Sequence, residues 1–468
     1  MTDFLEQPLA LIAAAIQEGQ ITSTSLVTAC LKRIEQVNPQ LNAVVSIAPE
    51  QALKHAAKAD ADLAAGKSIG PLHGIPMTIK DSLDTFDMVT TWGTSGRQQF
   101  RPGKDASCVA RLRAAGAILV GKTNTPEFTL SFQTDNLLFG KTNNPFDPAR
   151  TSGGSSGGAA ALIASGAVPF DIGTDTGGSI RLPAHFCGIC GIKPTSGRVP
   201  CTGNALPAFG LIAPLTQPGP LARYVADLEM LLPIIAGPDY IDPHCVNASW
   251  HDAKQVDLSQ LRIGYHSDNG LSSPETAIVA SITKVVKLLG EVGLQISQGT
   301  PSGLQMASLI MSRLMAADDQ DLIITLLDES RTHAPSEKIK NSLERGKAGM
   351  TAVEFAHTIN VWHSYQSSML SYFNDYDLLI CPVNAHTAIA HGEEENMLDY
   401  SYTMAYNLTG WPGVVIRAGT DESGLPIGIQ ILAAPFREDH CLALAGFLEA
   451  KLGAFSQPAV RYRKTPDA

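Results

Sequence analysis

The chain has 468 residues, 44% apolar and 17% charged, so it can bury a large core and is not globally disordered. With 34 basic against 45 acidic residues the formal charge is −11, and no basic stripe stands out, which argues against nucleic acid as a partner. Eight scattered cysteines read as the reduced thiols of a cytoplasmic protein. The first residues carry acid where a secretory leader carries positive charge, and the apolar run 9–16 is short. No apolar run approaches the ~20 residues a spanning helix needs, so no membrane partner is expected.

Thr22 or Ser23 caps a first helix, with Leu26, Cys30 and Ile34 along one stripe, and Pro39 is expected to end it. A strand over 43–47 and an Ala- and Lys-rich helix over 50–65 follow. Residues 75–79 read as a strand that delivers Lys80; 107–115 read as helix and 117–120 as a buried strand. Residues 143–158 carry turn chemistry. A small-residue helix over 159–165 and a strand over 168–172 come next.

After Pro200, prolines and glycines dominate up to a helix over 225–236, and 237–260 read as a surface excursion. A strand at 261–265 precedes a helix opened by Ser273 and Pro274, with Ile278, Ile282, Val285 and Leu289 on one face. Residues 304–372 are mostly helical, strands recur at 377–381, 413–417 and 427–432, and a last helix covers 439–452. Strand and helix alternate throughout with no linker or repeat. The expected fold is one α/β domain with helices on both faces of a large sheet and a helical arm over residues 1–70.

Two loops carry the chemistry. The run Gly173-Thr-Asp-Thr-Gly-Gly-Ser-Ile180 offers the hydroxyl of Ser179 among small residues, so several backbone N–H groups can converge on one oxyanion. The run Gly153-Gly-Ser-Ser-Gly-Gly158 offers a second hydroxyl on a permissive backbone. Lys80 stands in an apolar context and can supply a base; the bland alternative pairs it with Asp81 at a solvated strand end.

Other patterns compete. Gly116–Thr123 fits the phosphate-loop spacing, but its middle residues are strand-like. Gly153–Gly157 fits the nucleophile elbow of histidine-based hydrolases, but follows a loop and would need partners such as Asp377 and His386. Cys187-Gly-Ile-Cys190 suits packing better than redox work. Met306, Met311 and Met315 read as core, or as a flexible wall for an acyl group. The histidines stand singly, so neither metal nor cofactor is expected.

The two loops, together with Gly70–Pro76, Gly121–Asn124, Phe186–Thr195, Gly219–Arg223 and Gly424–Gln430 in the same order, resemble the amidase signature family over most of the chain. The resemblance implies a single domain around a mixed sheet, with a signature core over 71–230 and a variable helical pocket region over 300–400. It implies Ser179 as nucleophile, Ser155 after a cis peptide as the bridging serine, and Lys80 as base. It also places the oxyanion among the backbone N–H groups of Thr176, Gly177, Gly178 and Ser179, with Asp175 and Arg181 holding the loop in shape.

A lysine can act as base only when neutral, and burial lowers its ordinary value of ~10.4. The implied activity is hydrolysis of a small or partly apolar amide, such as an indoleacetamide-like, fatty or aromatic one. The alternatives are an amidotransferase subunit feeding ammonia to a tRNA-linked acid, and a non-catalytic scaffold. That subunit usually reads Lys-Thr-Asn-Met-Asp-Glu-Phe where this chain has Lys122–Phe128 as Lys-Thr-Asn-Thr-Pro-Glu-Phe, a departure that favours the free amidase. A homodimer is the expected assembly.

Overall fold

The computed structural model describes residues 2–345, 349–453, 455 and 458. Among these residues eleven strands form one mixed sheet, ordered β1-β3-β2-β4-β6-β5-β10-β11-β9-β7-β8. In chain order they are β1 (Val44–Ile47), β2 (Pro76–Lys80), β3 (Ile118–Thr123), β4 (Phe170–Asp175), β5 (Cys190–Lys193), β6 (Gln217–Ala222), β7 (Arg262–Tyr265), β8 (Gln295–Gln298), β9 (Leu378–Pro382), β10 (Gly413–Thr420) and β11 (Pro426–Ala433). β2 runs parallel to β3 and β4; β4, β6, β5, β10, β11 and β9 are joined antiparallel. This is the mixed α/β sheet expected.

Strand side chains alternate between faces, and the core follows that period. On β9, Leu378 and Ile380 join one apolar cluster while Leu379 and Cys381 join another. The first cluster packs the helices Ser23–Leu41, Pro49–Ala64, Gly157–Ala164, Val225–Ile235, Thr276–Glu291 and Glu438–Leu452. The second packs Ala307–Ala316, Asp321–Ser330, Ala352–Leu370 and Ser401–Thr409. Met77, Ile79, Phe170 and Ile172 all point into the first cluster. Alternation therefore turns Thr78, Lys80, Asp171 and Asp175 toward the other face, where polar side chains meet.

Three expectations shift. The helix Ser23–Leu41 runs through Pro39 instead of ending before it. The proline falls in the last turn, so the bond its missing N–H forfeits lies at the very end of the helix. Buried Val37 and Leu41 anchor that turn, and Asn42 closes it in a left-handed conformation. The helix Thr276–Glu291 begins beyond Ser273 and Pro274, because Glu275 is extended and ties its amide to Ala385 and its carboxylate to His386 and Thr387.

β6 is hidden in a proline-rich stretch. It tolerates Pro218 and Pro220 because β5 pairs only with Leu221 and Ala222, beyond them. β1 lies at the sheet edge, paired with β3, so the amino-terminal segment contributes a strand as well as helices. Helices fill the described part of 304–372, with residues 346–348 outside it.

Candidate active site

Lys80 ends β2 and is fully buried. Its Nζ donates to Ser155 Oγ at 2.6 Å and to Thr174 Oγ1 at 2.8 Å. Burial pushes its ammonium down to about 7, against the opposing pull of the Asp175 and Asp171 carboxylates. Asp81, its suspected partner, instead faces Lys122 at 3.7 Å.

Ser155 follows the cis peptide Gly154–Ser155 and is 1% exposed. Thr134 clamps its loop: the Thr134 hydroxyl donates to Gly153 O at 2.9 Å and receives the Gly157 amide at 3.0 Å. The Ser156 amide donates to Ser179 O at 3.1 Å, which joins the two serine loops.

Ser179 is 6% exposed and sits just before the helix Arg181–Cys187. Its loop is shaped by Asp175. That carboxylate receives the amides of Gly178 at 2.8 Å and Ile180 at 3.1 Å, the Arg181 guanidinium at 3.0 Å on each oxygen, and Asn407 Nδ2 at 2.8 Å. Burial alone would raise this carboxyl, but Arg181 and the hydrogen bonds from Arg181 and Asn407 hold it well below the usual carboxylate range.

Gly178 is needed there: its φ is +136°, and a Cβ would lie 2.3 Å from Thr403 Oγ1. Its amide is committed to Asp175, which corrects the expectation that all four loop amides face an oxyanion. The Thr176 hydroxyl is turned to the Thr216 hydroxyl at 2.9 Å.

Several residues that hold the site were given no role there by the sequence. Thr403 donates to Gly177 O at 2.7 Å. Gln430 receives Arg181 Nη1 at 3.2 Å and donates to Pro382 O and Tyr402 O, each at 2.7 Å. Phe132 stacks on Tyr400 with ring centroids 3.9 Å apart. A Cβ at Gly177 would meet Phe132 Cζ at 3.3 Å and Met404 Cγ at 3.5 Å, so an apolar wall stands beside the Ser179 loop. Gln430 is the lone polar residue of the apolar strand Pro426–Ala433, and Thr403 and Asn407 are polar residues in a helix buried nearly throughout; that is the signal they carry.

The competing motifs dissolve. Gly121, Lys122 and Thr123 lie within β3. Asp377 is held by Arg262 at 3.1 Å and His386 by Glu275 at 3.0 Å. Cys187 and Cys190 are buried free thiols, both raised by burial. Met311 is buried in the second cluster, with Met306 and Met315 packed against it. Among the described residues no group of three or more His, Cys, Asp or Glu could hold a metal, and no helix is long and apolar enough to cross a membrane.

Known proteins resemble this chain over nearly its whole length. The family model described as Amidase matches residues 25–442. A glutamyl-tRNA(Gln) amidotransferase subunit of Heliobacterium modesticaldum is 32% identical over 474 residues, covering 94% of this chain and 95% of that protein. An acylamidase of Rhodococcus erythropolis is 31% identical over 456 residues, covering 94% of each. The solved structure of 6-aminohexanoate cyclic dimer hydrolase complexed with substrate matches with a TM-score of 0.88 at 26% identity, covering 97% of this chain and 99% of that one. The chain belongs to the amidase signature family, whose hydrolases act on amide C–N bonds.

Proposed function

We propose that the chain is an amidase that hydrolyses a small, partly apolar carboxamide through an acyl-enzyme on Ser179. The observation that carries this reading is the 2.6 Å contact between Lys80 Nζ and Ser155 Oγ, made by a lysine that burial brings to about 7. A lysine so placed is neutral in a large fraction of molecules at neutral pH and can take a proton.

Neutral Lys80 takes the proton of Ser155 as Ser155 takes that of Ser179. The Ser179 oxygen attacks the carbonyl carbon, and the carbonyl π pair moves onto oxygen, facing the amides of Thr176, Gly177 and Ser179. Each such donor contributes about 3–4 kcal/mol. The pair returns, the C–N bond breaks, and the proton passes back through Ser155 to the leaving nitrogen. Water then attacks the ester by the same relay, releasing carboxylate and free Ser179. Asp175 and Arg181 shape the loop and do not react. Phe132 and Met404 face the acyl group, which favours an aryl or alkyl substrate.

The relatedness to an amidotransferase subunit supports a second reading, ammonia supply within a complex. Purified protein that releases ammonia from simple aryl or alkyl amides, without ATP or a second polypeptide, supports the free amidase. Glutamine-only activity that needs a partner supports the other. Ser179→Ala should lose several orders of magnitude in kcat and all labelling by a fluorophosphonate; retained labelling rejects Ser179 as nucleophile. The same reading places the enzyme in the cytoplasm, with its free cysteines reduced, as a homodimer that needs no nucleic acid or cofactor.

A further inference from the structure

Near the catalytic lysine lies a carboxylate that the relay does not use. Asp171 of β4 pairs in register with Thr78 of β2, two residues before Lys80 on the same face. It is fully buried. Its Oδ2 accepts from Thr78 Oγ1 at 2.6 Å and from Thr123 Oγ1 at 3.0 Å, while Oδ1 has no hydrogen-bond partner among the described residues. An under-bonded carboxylate at full burial is costly, and such groups concentrate where charge has work to do.

Lys122 of β3 acts on it by charge, and it acts in turn on Lys80 of β2, which Asp175 of β4 also faces and influences more strongly. Opposite, Gln217–Ala222 of β6 contributes no ionised group. Lys122 faces Asp81 at 3.7 Å, and Asp175 faces Arg181 at 3.0 Å. Asp171 has no such cation in contact; two hydroxyls hold it, and the Lys80 backbone amide also favours its charged form.

We propose that Asp171 is a positioning residue for the reaction, a second negative charge beside that of Asp175 that supports the basicity of Lys80 from the neighbouring strand. The inference rests on the reading of Lys80 as base. A carboxylate in direct contact would trap the lysine as ammonium. With no carboxylate nearby, burial would leave an amine too weakly basic to draw on Ser155, because proton-transfer efficiency follows basicity. Asp171, set one strand aside and bonded by hydroxyls, lies between these extremes. Burial raises its carboxyl to about 6 and lowers Lys80 to about 7, so the two groups titrate as a coupled pair close to neutrality.

The test is the pH dependence of the rate at which a fluorophosphonate labels Ser179, which needs no knowledge of the substrate. In the wild type this rate should rise through about pH 7 as Lys80 loses its proton. In Asp171→Asn the rising limb should move down by about one pH unit, with a lower plateau, because a charge that favours the ammonium is gone. Thr78→Val combined with Thr123→Val strips the carboxylate of its hydroxyl donors, favours its neutral form, and should move the limb the same way by a smaller amount. This variant decides the matter if Asp171→Asn does not fold. A limb that stays in place, or moves up, overturns the proposal and leaves Asp171 a structural group. A wild type that is not labelled at all rejects the Ser179 and Lys80 reading itself.

Discussion

Two buried lysines stand on neighbouring strands, Lys80 at the end of β2 and Lys122 on β3, and both are fully enclosed. Their surroundings differ in kind. Lys122 meets the Asp81 carboxylate at 3.7 Å, the Thr90 hydroxyl at 3.0 Å and the carbonyl of Leu83. Lys80 meets the hydroxyls of Ser155 and Thr174. Burial pulls both ammonium groups down, and at Lys122 the Asp81 carboxylate at contact distance opposes that pull; a hydroxyl can both accept a hydrogen bond and hand a proton on. In the proposed relay, burial alone does not make a base. The type of neighbour does.

The largest effect expected from this contrast is on Lys80→Ala. It should lose about 10²–10⁴-fold in kcat/KM and, with it, the rise in rate through about pH 7. The sign follows from the base being active when unprotonated, so rate is lost as pH falls through that value. A Lys80→Ala enzyme that keeps the wild-type limb assigns the titration to another group. Lys122→Met should act on folding: Asp81 is left buried and unpaired, at a cost of about 3–5 kcal/mol, read as a fall in denaturation midpoint, while surviving folded enzyme keeps its pH limb. If its limb moves instead, the two lysines are not separated in role.

The acid side of the profile belongs to Asp175. Its carboxyl lies below its ordinary value when folded, so the stability it contributes is present above that ordinary value and lost below about pH 4. Arg181→Gln should flatten that acid loss of stability, as followed by acid titration of the fold. The smallest effects separate the two hydroxyl sets. Thr174→Val should lower turnover about tenfold, whereas Thr90→Val beside Lys122 should cost about 1 kcal/mol of stability and leave turnover unchanged.

Much of this was legible in the sequence. The serine loops and Lys80 are local patterns whose small residues permit the geometry they adopt. Alternating strand and helix signals pointed to the layered sheet. What escaped depended on contacts far along the chain. Asn407 and Gln430 reach Asp175 and Arg181 from more than two hundred residues away, and β6 is a strand that its own prolines disfavour and its neighbours enforce. Asp171 looked like one polar residue in a short strand, because its meaning comes from Thr78 and Thr123 beside it. The commitment of the Gly178 amide to Asp175 is a direction in space, which composition does not encode.

The fastening of the Ser179 loop by Asn407 and Gln430 carries a consequence for synthesis. Ser179 leaves the ribosome long before those two residues exist as peptide. A nascent chain that already holds every reacting group still lacks the pins that aim them. In the proposed amidase, hydrolytic competence therefore depends on the carboxy-terminal part of the chain being in place.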